Sequence, residues 1–131
     1  MIPDVGKIWT DDDIRRAACE EWGRLDLWKR YLGARQNRKP FISDGPSCCP
    51  RYIICGGKTI DLYPAAAEHD LAYYIGGSEN DRFREDLRLA ENVVFRCGGT
   101  PEIAMTMLNA VRLGGTDKLP TSWRWGFGGD K

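Results

Sequence analysis

The join Ile75-Gly76-Gly77-Ser78 constrains the fold most, because it separates two segments with helical patterning by a short connection that favours an antiparallel pair. The first segment has no glycine or proline between Pro64 and Gly76, and its spacing predicts a helix over about 64–75. In the second, Ser78 is an N-cap with Asp81 three residues on, and Phe83, Leu87, Ala90, Val93, Val94 and Cys97 recur at helical spacing. Asp86 falls inside that stripe. A buried carboxylate without a partner is costly, so one must come from elsewhere. On the facing helix the candidate is His69, which predicts a hydrogen bond from the imidazole to Asp86. The competing reading pairs Asp86 with Arg82 or Arg84 at the helix surface.

His69 is the only histidine among 131 residues. That excludes zinc sites built on paired imidazoles and metal-dependent phosphohydrolases that need several histidines. What remains is one neutral imidazole, nearby carboxylates, and a hard cation held by oxygen. At about 3.6 residues per turn, His69 and Tyr73 share a face and Asp70 projects about 100° round the axis, so imidazole and carboxylate can serve one cleft in two roles. Taken alone, a histidine beside an aspartate also fits an ordinary surface or satisfied core pair.

The string His69-Asp70-x-x-Tyr73, followed by a second helix bearing Asp86, resembles the phospholipase A2 superfamily. Ala65-Ala66-Ala67-Glu68-His69-Asp70 is similar to the phospholipase domain of parvovirus capsid proteins. The run His69 to Gly77 with Arg82 and Asp86, then Val111-Arg112-x-Gly114-Gly115 and Trp123-Arg124-Trp125-Gly126, is similar to small bacterial members. The resemblance implies a mainly α fold in which two antiparallel central helices carry the catalytic network, flanked by an N-terminal helix, a calcium loop and a C-terminal helix. It implies calcium-dependent hydrolysis of the sn-2 ester of glycerophospholipids at a membrane surface, with His69 as base, Asp86 and Tyr73 supporting it, and calcium held by Asp70. The loop around Asp44 and Gly45 is the favoured source of the remaining ligands, and Cys55-Gly56-Gly57 is its rival. The paired cysteines of secreted members are replaced here by Ala65 and Ala66, so that staple cannot form. This departure motivates an alternative: a catalytically silent domain of the same fold that binds lipid or a protein partner.

The rest of the chain reads as one domain over 1–131. Thr10-Asp11-Asp12-Asp13 caps an N-terminal helix of about 10–33 carrying Ile14, Ala18, Trp22, Leu25, Trp28, Tyr31 and Leu32, with a break or a bend near Gly23. Under the resemblance this stripe is core or one wall of a lipid channel. A loop-rich metal region follows at about 37–63, the catalytic helices occupy about 64–97, and Thr100-Pro101-Glu102 opens a helix of about 101–113. Nineteen basic and nineteen acidic side chains cancel, giving no general pull toward nucleic acid. No apolar stretch approaches the roughly 20 residues of a membrane span. The first residues lack a basic segment followed by an apolar run, so synthesis in the cytoplasm is expected, with delivery or secretion by a non-classical route left open. Five cysteines leave at least one unpaired within the chain, and Cys49 with Cys55 is a conceivable small loop. The tail Thr121 to Phe127 reads as an arm packed on the domain, and oligomeric state is left open.

Overall fold

The computed structural model describes residues 2–34, 39–46 and 50–114. Among these the chain is mainly helical, in the order α1 (Asp11–Arg16), a π-helical turn (Ala17–Glu21), α2 (Leu25–Ala34), β1 (Tyr52–Cys55), β2 (Lys58–Asp61), α3 (Tyr63–Ile75), α4 (Glu79–Phe95) and α5 (Pro101–Gly114). The expected aromatic tail and Cys48 and Cys49 lie outside the described residues.

Capping chemistry sets the helix starts. Thr10 accepts from the Asp13 amide while the Asp13 side chain accepts from the Thr10 amide, and Ser78 and Asp81 do the same for α4. Pro64 sits in the first turn of α3, where its missing N–H costs nothing. Of the break or bend expected in the N-terminal helix, the structure has the break. After α1 the Trp22 amide reaches back five residues to Ala17, and the chain passes Gly23 at φ 62° before α2 begins. The expected loop region holds a hairpin instead: β1 and β2 pair antiparallel with Cys55 opposite Lys58, joined by Gly56 and Gly57 at φ 58° and 79°. Strands of four residues are too short for alternation to announce them, and the two-residue turn accounts for the Cys55-Gly56-Gly57 glycines without an ion.

Two apolar clusters flank α3. On one side Trp9, Ile14, Ala18, Trp22, Leu27, Tyr31 and Phe41 pack on Ala67, Leu71, Ala72 and Ile75. Of the N-terminal stripe, Ile14, Ala18, Trp22 and Tyr31 are core, whereas Leu25 and Leu32 are exposed. On the other side Ile60 and Leu62 meet Ala65, Leu89, Val93, Ala104 and Met107. Each fully buried Leu, Ile or Val here contributes about 1.5–3 kcal/mol by leaving water. The turn into α5 is tight: a Cβ on Gly99 would lie 2.8 Å from Val93 Cγ1 and 3.1 Å from the Val93 carbonyl oxygen.

The stripe expected on α4 is rotated. Phe83 and Leu87 are partly exposed, whereas Arg82, Glu85, Asp86, Leu89 and Val93 are buried. The helix pair therefore meets along a polar seam closed at one end by aliphatic side chains.

Candidate active site

α3 carries His69 to the seam and α4 carries Asp86 to meet it. His69 Nε2 lies 2.7 Å from Asp86 Oδ1, and the ring is 7% exposed while the carboxylate is fully buried. A carboxylate accepts only, so the contact assigns the imidazole proton to Nε2 and leaves the Nδ1 lone pair as the basic site. One turn after His69, the Tyr73 hydroxyl donates to the same Asp86 oxygen at 2.7 Å, with the two rings 4.4 Å apart. Burial raises the Tyr73 phenol, and the neighbouring Asp86 charge raises it further, which keeps the hydroxyl a donor.

The second Asp86 oxygen is held from α5. Arg112 Nη1 donates to Oδ2 at 2.8 Å, and its guanidinium also reaches Glu79 at 3.1 Å and lies over the Phe83 ring at 5.0 Å. Arg82, one turn before Asp86, donates to the Tyr73 hydroxyl at 3.2 Å and stands 3.6 Å from Oδ2. The expected contest between His69 and Arg82 is thus no contest: the buried acid has both near it. Arg84 is on the outside, 4.0 Å from Asp81.

Burial pushes the Asp86 carboxyl up, yet hydrogen bonds from His69, Tyr73 and Arg112 outweigh it and hold the group below its ordinary value of 3.8. A depressed acid contributes stability above its unfolded pKa that is lost as pH falls through the folded one. The stability advantage of the wild type over Asp86→Asn should therefore narrow below about pH 4. Thermal melts of both proteins at stepped pH check this; a gap that stays constant to pH 2 would sink it.

Asp70 turns away from His69 toward the 41–45 loop, where Ser43 Oγ donates to Asp70 Oδ2 at 2.6 Å. That loop is anchored by the N-terminal segment: Trp9 N–H donates to the Phe41 carbonyl, Gly6 N–H to the Ser43 carbonyl, and Ile8 bridges Ile42. Asp44 is exposed and Gly45 is buried at φ 83°. Among the described residues no three His, Cys, Asp or Glu side chains converge as a side-chain metal cage. An ion beside Asp70 must then draw on loop carbonyls and water as well, an all-oxygen set suited to calcium.

Beside the dyad lies a second buried network that the sequence reading missed. Glu68 precedes His69 and Glu85 precedes Asp86, and both are buried. Arg24 donates to Glu68 at 2.8 Å, to Glu85 at 2.7 Å and to Asp26 at 3.0 Å. Arg30 adds a bond to Glu85 and another to the Gly76 carbonyl, while Arg96 and Asn92 satisfy the other Glu68 oxygen. Three arginines thus face three acids. Ser43 and Arg112 were also unassigned in sequence; the signals for them were a place beside Asp44 and a place in the Val111-Arg112-x-Gly114-Gly115 run.

No protein-family model, curated protein or solved structure matches the chain. Functional reading therefore rests on the geometry.

Proposed function

We propose that this chain is a calcium-dependent phospholipase A2, hydrolysing the sn-2 ester of glycerophospholipids with a water activated by His69. The observation that carries the reading is the 2.7 Å contact between His69 Nε2 and the buried Asp86, with the neighbouring Asp70 turned to a separate oxygen-rich loop. Nδ1 takes a proton from water as the water attacks the acyl carbonyl; the C–O bond to glycerol then breaks, and the proton passes to the leaving alkoxide. Asp86 stabilises the imidazolium formed in between, and Tyr73 keeps the carboxylate aligned. Asp70 and the carbonyls of the Asp44-Gly45 loop would hold calcium, which when bound supplies positive charge for the phosphate and the developing oxyanion. Ser43 orients Asp70 for that task.

The test is fatty-acid release from phosphatidylcholine vesicles with calcium or with chelator. Release only with calcium, lost in Asp70→Asn together with calcium binding measured by calorimetry, is the expected result. Vesicle binding without release in either condition would return the chain to the binding-only alternative.

A further inference from the structure

We infer that Arg112 of α5 is a positioning residue for the base: it fixes the Asp86 carboxylate in the orientation that presents Oδ1 to His69 Nε2. The inference rests on the hydrolase reading for its kinetic consequence but not for its geometry. A carboxylate held at one oxygen can swing about its Cβ–Cγ bond. Here Oδ1 accepts from His69 and Tyr73 at 2.7 Å each, and Oδ2 accepts from Arg112 at 2.8 Å, so the plane is pinned at both ends. Arg112 is itself held at two further points. Glu79 takes its second nitrogen at 3.1 Å and Phe83 lies under its face, which fixes the planar fork where a lysine would be a single point of charge.

Arg112 also settles where the counter-charge of Asp86 comes from. An acid with no exposure needs a nearby cation. With Arg112 on one oxygen at 2.8 Å and Arg82 at 3.6 Å, the acid has cations from both α5 and α4. The last turn of α5 therefore belongs to the site.

Arg112→Lys and Arg112→Gln test this in the full chain. Expected kcat on calcium-loaded phosphatidylcholine vesicles falls in the order wild type, Lys, Gln, by about 10- to 100-fold for Gln, with KM unchanged. The His69 Nε2 proton, read by NMR at one pH, should shift in both variants. A loss confined to KM, or wild-type kcat in Gln, overturns the proposal. Should Gln fail to fold, Lys decides: lowered kcat with a shifted Nε2 proton supports it, and wild-type values for both overturn it. If the wild-type protein releases no fatty acid, the hydrolase reading fails on its own, and the Nε2 proton still judges Arg112: shifted in the variants it stands, unmoved it falls.

Discussion

His69→Ala is expected to lower calcium-dependent fatty-acid release by about 10²- to 10⁴-fold, the range a positioned general base contributes, while calcium affinity stays near that of the wild type. The separation follows from the helix geometry. His69 turns into the seam toward Asp86, whereas Asp70 turns to Ser43 on the 41–45 loop, so deleting the ring leaves the Asp70 side untouched. Folding should largely survive as well, since Asp86 keeps its bonds from Tyr73 and Arg112. Release assays with and without chelator, alongside calcium calorimetry, check both halves. Fatty-acid release by His69→Ala at the wild-type rate would remove the imidazole from the chemistry and with it the proposed mechanism.

The second large effect is on stability. Arg24→Met is expected to cost about 3 kcal/mol, a fall in melting temperature on the order of 10 °C, because two buried carboxylates each lose one of their two arginine partners. Among the described residues Arg24 alone links Glu68 of α3 to Glu85 of α4, and both acids are at most 4% exposed. Arg30 and Arg96 each relieve only one of them. Replacing the acids as well, in the triple variant Arg24→Met, Glu68→Gln, Glu85→Gln, should recover part of the loss, since the penalty belongs to unpaired charge more than to the missing bonds. Differential scanning calorimetry of both variants decides it. A drop of less than about 3 °C in the single variant would mean that water reaches these acids and the seam is wetter than described.

How much of this the sequence could tell depends on the range of the interaction. The capping pairs Thr10 with Asp13 and Ser78 with Asp81 are three residues apart, and both formed as read. The antiparallel helix pair followed from a short glycine connection. Asp86 was found because a lone acid among apolar residues demands a partner, and the facing helix offered His69. The same reasoning went astray over the face of α4: Phe83 and Leu87 were read as inward, but Arg82 and Glu85 occupy that ground, because long charged side chains are assigned to solvent unless a partner is known. Arg24 lies forty-four residues from Glu68 and sixty-one from Glu85. No periodicity joins such positions, and Arg112 to Asp86 is the same kind of pairing. The hairpin escaped for a different reason, since its four-residue strands are shorter than the windows in which alternation is distinguishable from chance.

At Gly99 even a methyl group has no space, because Val93 stands where it would go. An alanine there must push α5 off its seat, and the lever arm of that helix ends at Arg112. A change at this bend should thus be felt by the imidazole as a loosened acid, so mutational sensitivity in this protein need not decline with distance from the His69–Asp86 pair.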